Sequence, residues 1–389
     1  MLIVVDENIP YAEEAFGRLG TVRKLPGRRI VRQDLEQADA LIVRSITRVN
    51  ADLLRDTPVR FVGTCTIGED HVDKAWLAAQ GIGFASAPGC NANSVADYIT
   101  AALLFLEARH GITLRGASIG IVGVGNVGSR VARRAEALGM RVTLNDPPRA
   151  EREPDFPSES LEAALSRDFI TFHVPLEKTG PWPTWHMVDA ARLNQIRPET
   201  ILLNTSRGAV VDNPALLRYL ENGRLRGAVL DVWEGEPAPD PGLIRIVDLA
   251  TPHIAGYSFD GKVNGTRQVY EALCRHLGVT PDWDPSPLLP PPDCPEVTVN
   301  PDDPDAIRKA VFAVYDIRED DARTRPLADM TDPAARGAAF DQLRKHYPRR
   351  REFINTTARL TRHDETVAVA LRKLGFKVAT AGSPHPETS

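Results

Sequence analysis

Between Ser118 and Asp146 the chain can do little other than form a strand, a tight turn, a helix and a second strand. Ser118–Val122 is short and apolar, and Gly123-Val124-Gly125-Asn126-Val127-Gly128 follows at once. The stretch from Asn126 to Leu138 then keeps helical spacing up to a stop at Gly139. Each glycine has its own purpose. Gly123 permits the tight turn, Gly125 lets a ligand approach the backbone, and Gly128 lets helix pack on strand. Free N–H groups and the positive dipole end at the helix start favour a phosphate. The second strand, Arg141–Asn145, ends at Asp146, eighteen residues past Gly128. A carboxylate there accepts hydrogen bonds from a ribose 2′-hydroxyl and repels a 2′-phosphate. The pattern predicts a dinucleotide site that favours NAD over NADP, with Arg149 close enough to temper that preference.

The rest of the chain supplies the sheet that such a unit needs. Strand candidates recur at Phe169–His173, Ile201–Asn204 and Ala228–Val232, with helical patterns between them. Before the fingerprint, Leu2–Val5, Ala40–Val43 and Arg60–Gly63 read as buried parallel strands, and Tyr11–Leu19 as a helix closed by Gly20. Asn93 is placed to cap a long Ala- and Leu-rich helix from Ser94 to about Arg109. Seven prolines between 281 and 295 read as a stiff linker. Beyond it come a strand candidate at Glu296–Val299, an Ala- and Arg-rich helical stretch, and Gly375-Phe376-Lys377-Val378. From Gly382 on the chain is polar with two prolines and reads as disordered.

The expected fold class is α/β: two Rossmann-like doubly wound domains plus a small C-terminal α+β domain. Residues 1–98 with a return segment 253–285 would form the substrate and catalytic domain, 99–252 the NAD-binding domain, and 286–380 the C-terminal one. With 47 basic and 52 acidic residues the chain shows no electrostatic footprint for nucleic acid. No uncharged apolar run approaches ~18 residues, and the start, MLIVVDENIP, lacks a basic leader region, so no membrane partner is expected. Cys65, Cys90, Cys274 and Cys294 form no CxxC pair, which suits a reducing, cytoplasmic setting. Asp70, His71 and Asp73 read as a turn and helix start rather than as ligands, so no metal is expected.

Three downstream segments end in polar residues just past apolar strands, where an open α/β sheet presents its ligand crevice. They contain Arg207, Glu236 and His253. Oxidising an alcohol with a nicotinamide requires a base for the hydroxyl proton and a cation for a neighbouring carboxylate. His253 suits the first, because imidazole titrates near neutrality. Glu236 can fix its tautomer through the other ring nitrogen. Arg207 suits the second through its planar fork. His173 ends a strand beside the crevice and reads as a packing residue, whereas Arg44 either helps bind an anionic substrate or pairs with an acid.

In these segments, in this order, the chain resembles the D-isomer-specific 2-hydroxyacid dehydrogenases. The shared text includes Val5-Asp6-Glu7-Asn8, Ala87-Pro88-Gly89-Cys90-Asn91, Arg207-Gly208-Ala209-Val210-Val211-Asp212-Asn213, Asp231-Val232-Trp233-Glu234-Gly235-Glu236-Pro237 and His253-Ile254-Ala255-Gly256-Tyr257. The resemblance implies a catalytic Arg207, Glu236 and His253. It implies NAD contacts at Asn126, Val127, Asp146, Thr205, Ser206, Arg207, Asp231 and Gly256, and substrate contacts at Ser45, Thr66 and Tyr257. Val174 stands where the family commonly has Thr, which removes one hydroxyl contact to the cofactor. The likeness also implies a small phosphorylated hydroxy acid as substrate and a homodimer built largely by the C-terminal domain. Glycerate, 3-phosphoglycerate and glyoxylate are the alternative substrates, and an NAD(H)-sensing corepressor is the alternative class. The residues 344–351, RKHYPRRR, are the most basic stretch in the chain, either a solvated face or a source of an arginine for the substrate phosphate.

Overall fold

Short β-branched runs joined by helices fold, in the computed structural model, into parallel sheets; the structure describes residues 1–380. The segment read as disordered, from Gly382, lies outside the described residues. The chain divides into two compact units, Met1–Asn91 with Ser258–Pro290, and Ala92–Tyr257 with the chain from Pro291 on.

The first unit holds β1 (Leu2–Asp6), β2 (Thr21–Leu25), β3 (Ala40–Val43), β4 (Phe61–Thr64) and β5 (Gly83–Ala85). They form a parallel sheet of order β2-β1-β3-β4-β5. Alternation within β1 shows how both faces are covered: Ile3 and Val5 join a cluster with Ile42, Val269 and Tyr270, while Val4 joins Leu41, Val62 and Leu77 on the other side. The helix Phe259–Leu277 lies so close to β4 that a Cβ on Gly63 would sit 2.3 Å from Val269 Cγ1. The first helix spans only Ala12–Phe16, shorter than the sequence pattern suggests. The proline-rich run is no free linker in its first half. Trp283 is buried with Tyr270 and Leu273, and Tyr270 donates a 2.6 Å hydrogen bond to Asp282, which anchors the run to the first unit.

The second unit contains β6 (Ser118–Val122), β7 (Arg141–Asn145), β8 (Phe169–Phe172), β9 (Ile201–Asn204), β10 (Gly227–Leu230) and β11 (Leu249–Ala250). Their order, β11-β10-β9-β8-β6-β7, is parallel throughout and reverses direction between β6 and β8. That reversal is where a doubly wound sheet opens a crevice at its carboxyl ends. The long helix runs Ala92–His110, so Asn93 lies inside it rather than capping it, and its Oδ1 accepts from Arg130 Nε at 2.8 Å. The C-terminal strands β12 (Glu296–Val299), β13 (Thr357–Leu360) and β14 (Lys377–Thr380) make a small parallel sheet. Its buried Val299, Val311, Phe353, Leu371 and Leu374 are continuous with Ile99, Leu103, Val131 and Ala135 in a single core. The C-terminal segment therefore shares its core with the fingerprint helix.

Candidate active site

The fingerprint turn has the geometry its glycines require. Gly123 takes φ +86°, a left-handed conformation open to glycine at no steric cost, with the His173 carbonyl 2.6 Å from where a Cβ would sit. A Cβ on Gly128 would fall 2.0 Å from the Gly123 carbonyl oxygen, so the helix Asn126–Ala137 packs directly on the turn. At Gly125 a Cβ would meet nothing within 4 Å, which leaves the turn's face open beside the helix N-terminus. Asp146 closes the arrangement. Its Oδ2 accepts from Val124 N at 2.8 Å and its Oδ1 from Arg149 N at 2.9 Å, each oxygen keeping a further lone pair. The Arg149 guanidinium is committed elsewhere, to Glu153 at 2.8 Å, to the Val124 carbonyl at 2.8 Å and to the face of Phe156. This leaves the acid rather than the arginine open to a ribose, and the site takes NAD.

Arg207, Glu236 and His253 follow the ends of the adjacent strands β9, β10 and β11. Arg207 is presented by a turn built on Asn204, a fully buried side chain. Its amide donates to the Arg207 carbonyl at 2.9 Å while its oxygen accepts from Ser206 N and Oγ. Gly208 brings this turn against the next loop: a Cβ there would lie 2.0 Å from the Trp233 carbonyl carbon. Asn213 and Glu234 then stitch the two loops reciprocally: Asn213 N donates to Glu234 Oε2 at 3.1 Å and Glu234 N to Asn213 Oδ1 at 3.0 Å. Glu236 receives Trp233 N on Oε1 at 2.9 Å and holds His253 Nδ1 on Oε2 at 2.8 Å. Burial alone would raise the Glu236 carboxyl. The His253 ring, the Trp233 N–H and the Arg344 charge more than offset it and hold the carboxyl below its usual range. An ionised Glu236 on Nδ1 leaves His253 Nε2 as the ring nitrogen available to a hydroxyl.

His253 sits in a left-handed backbone conformation, φ +58°, that a side chain of this kind rarely takes. The loop around it is gripped on both sides. Asp231, almost wholly buried, accepts from Ile254 N, Ala255 N and Thr251 Oγ1 at 2.7–2.9 Å, and its own carbonyl accepts from His253 N at 2.7 Å. From the other side Arg350 of the C-terminal segment, also buried, donates to the Ala255 carbonyl at 2.6 Å and to Ser94 Oγ at 2.5 Å. The Arg350 guanidinium lies 4.2 Å from the Tyr315 ring centroid, and Tyr315 and Tyr347 both donate to Asp320. Sequence reasoning named Asp231 as a cofactor contact; the structure shows its carboxylate chiefly as the anchor of this loop. It gave no role to Asn204 or Asn213 and did not single out Arg350 within the basic run 344–351, because their roles depend on contacts that no local spacing signals.

Asn126, Val127, Thr205, Ser206, Gly256 and Tyr257 lie in the same unit as these loops. Thr205 Oγ1 is 3.5 Å from His173 Nδ1, and Thr171 Oγ1 is 3.1 Å from its Nε2. Burial pushes the His173 imidazole down to about 3, so the ring is neutral and packs as the sequence suggests. In the first unit, Ser45 is exposed at the end of β3, and Thr66 follows β4 with its hydroxyl 2.8 Å from Thr64 Oγ1. Arg44 pairs with the buried Asp6 at 3.1 Å. Asp73 caps the helix Lys74–Ala79 by accepting from Trp76 N, and His71 contacts Thr64 Oγ1 at 3.1 Å. Among the described residues no cluster of His, Cys, Asp or Glu could hold a metal ion, and no helix is long and apolar enough to cross a membrane.

A dinucleotide turn at the switch point and an Arg–Glu–His set on neighbouring strand ends define an NAD-dependent dehydrogenase of hydroxy acids. The chain belongs to the D-isomer specific 2-hydroxyacid dehydrogenase family: residues 101–255 match its NAD binding domain. Residues 288–375 match a separate family described only as a domain of unknown function. Among curated relatives, erythronate-4-phosphate dehydrogenase of Serratia proteamaculans is 49% identical over 97% of this chain and 100% of its own. Among solved structures, the TT0316 protein of Thermus thermophilus matches with a TM-score of 0.61 and 30% identity, over 72% of this chain and 98% of its own. The NADPH-dependent glyoxylate/hydroxypyruvate reductase of Sinorhizobium meliloti matches with a TM-score of 0.60 and 27% identity, over 71% of this chain and 93% of its own.

Proposed function

We propose that the chain oxidises 4-phospho-D-erythronate at its 2-hydroxyl with NAD, giving (R)-3-hydroxy-2-oxo-4-phosphooxybutanoate, a step of pyridoxine 5′-phosphate synthesis. The observation that carries the substrate is the 49% identity to an erythronate-4-phosphate dehydrogenase over nearly the whole chain. Bound NAD supplies the hydride acceptor. Arg207 holds the carboxylate end of the acid and polarises the forming carbonyl through its fork. His253 Nε2 takes the hydroxyl proton, and Glu236, 2.8 Å from Nδ1, stabilises the imidazolium that results. Gly123, Gly125 and Gly128 let the cofactor approach, Asn126, Val127 and Asp146 contact it, and Thr205, Ser206, Asp231 and Gly256 line its nicotinamide end. Ser45, Thr66 and Tyr257 contact the acid. The working form in this reading is a cytoplasmic homodimer.

The test is a substrate panel of 4-phospho-D-erythronate, D-erythronate, 3-phosphoglycerate and D-glycerate, with glyoxylate run in the reverse direction, each followed by NADH absorbance. The expected result is the highest kcat/KM for 4-phospho-D-erythronate. A higher value for any other acid would overturn the substrate assignment.

A further inference from the structure

A substrate with a carboxylate at one end and a phosphate at the other asks for two cationic seats, and Arg207 supplies one. Residues 288–375 match a family separate from the dehydrogenase's NAD binding domain, and the solved glyoxylate/hydroxypyruvate reductase matches over 93% of its own length yet leaves more than a quarter of this chain uncovered. The C-terminal segment is therefore the place to look for the second seat, and it carries the basic run 344–351.

Most of that run is already committed. Arg350 is spent on Ser94 and the Ala255 carbonyl, Arg351 bonds Asn355 at 2.8 Å, and Arg349 reaches Asp293 at the surface. Arg344, in the last turn of the helix Pro333–Lys345, differs. Its side chain is only 17% exposed, and its contact with Asp341 is a long 4.0 Å. Its Nε is buried with no hydrogen-bond partner among the described residues. The guanidinium lies 5.5 Å from the centroid of Tyr257, and Tyr257 in turn packs edge-on against Tyr347. Arg344 hydrogen-bonds the Tyr257 side chain, and its charge acts on Glu236, the carboxylate that holds His253. A largely desolvated guanidinium that faces a tyrosine and has only a long contact to its nearest ion-pair carboxylate keeps donor capacity for an external anion.

We propose that Arg344 binds the phosphate of the substrate beside Tyr257 and so sets the preference for a phosphorylated acid. This rests on the substrate reading given above. Removing one charge-assisted contact of this kind costs roughly ten- to hundredfold in binding.

The experiment compares kcat/KM for 4-phospho-D-erythronate with that for D-erythronate in the wild type, Arg344→Gln and Arg344→Lys. The ratio should fall roughly ten- to hundredfold in Arg344→Gln, through KM rather than kcat, and by less in Arg344→Lys, whose point charge remains. Inhibition of D-erythronate oxidation by orthophosphate should weaken in parallel. Equal losses on both acids leave the ratio unmoved; Arg344 would then serve only Glu236 and Tyr257, and the proposal falls. Should Arg344→Gln fail to fold, as judged by NAD binding, Arg344→Lys carries the test, and an unmoved ratio overturns it. A wild type with no preference for the phosphorylated acid would instead reject the substrate reading, a result visible before any variant is made.

Discussion

At Asp146 one carboxylate does two things at once. It ties the fingerprint turn through Val124 N and Arg149 N, and in the proposed reading its remaining lone pairs receive the adenine ribose. Asp146→Ala should therefore weaken NAD while relieving the repulsion of a 2′-phosphate. The ratio of kcat/KM for NAD to that for NADP should drop by roughly tenfold or more, the worth of a charged hydrogen bond. A wild type that already uses both equally, or a variant with an unchanged ratio, would contradict this role. Asp146, Arg207 and Glu236 were legible in the sequence because each comes after a recognisable strand, whereas His253 follows only the two-residue β11 and stood out through the residues around it. The commitment of Arg149 was not legible: only its contacts to Glu153, Val124 and Phe156 show that its guanidinium is engaged. Asp231 was half legible. Its position past a strand marks it, but nothing local reveals that Ile254 N and Ala255 N, more than twenty residues on, occupy its oxygens.

Among the elements, the central strands β1, β3, β4, β6, β8 and β9 announce themselves because both their faces are buried and their runs are apolar. The edge strand β2, Thr-Val-Arg-Lys-Leu, is mostly exposed and charged, so its pattern reads as a loop. β11 is two residues long and offers no period to read. Asp168 joins two strand starts: Oδ2 accepts from Ser118 N and Oγ at 2.7 and 2.6 Å, and Oδ1 from Arg197 at 2.9 Å. Although burial opposes it, this bonding brings the carboxyl down to about 2. A depressed carboxylate contributes stability above its unfolded value, near 4, and loses it as pH falls toward 2. The Tm gap between wild type and Asp168→Asn should then be widest above pH 5, narrow as pH falls below 4, and close only as pH falls through about 2. A gap that stays constant over this range would deny the linkage. Arg350 tests the loop itself. With Arg350→Met the Ala255 carbonyl loses its guanidinium donor, and a shift of His253 by about 1 Å can cost on the order of a hundredfold in turnover. We expect kcat to fall at least tenfold while the dissociation constant for NAD stays within about threefold. Parallel losses in both would mean a general structural defect rather than control of the His253 loop.

For the whole molecule, the alternation of strands and helices made two doubly wound sheets readable, but the place of the last hundred residues was not. A segment that small with modest apolar content suggests stabilisation by a partner. Part of that stabilisation comes from the chain's own nucleotide-binding unit: Val299, Val311, Phe353, Leu371 and Leu374 share a core with Ile99, Leu103 and Val131, on the long helix and the fingerprint helix. Those groups are separated by more than 150 residues, so no periodicity links them. This changes what truncation should do. Fully burying a large apolar side chain is worth ~1.5–3 kcal/mol, so uncovering Ile99, Leu103 and Val131 by deleting the side chains packed on them costs up to roughly 5–9 kcal/mol. That rivals the ~5–15 kcal/mol by which a typical domain is stable. A chain ending at Pro290 should accordingly be insoluble or unfolded and should not bind NAD. A well-folded fragment with wild-type affinity for NAD would show that the shared core is dispensable. The homodimer then has to be tested on the intact chain, because the C-terminal segment needs no second copy to bury these side chains. Sedimentation at micromolar concentration should give twice the 42.7 kDa of one chain, and a mass of 42.7 kDa would reject the dimer while leaving Arg344 and Arg350 in their proposed roles.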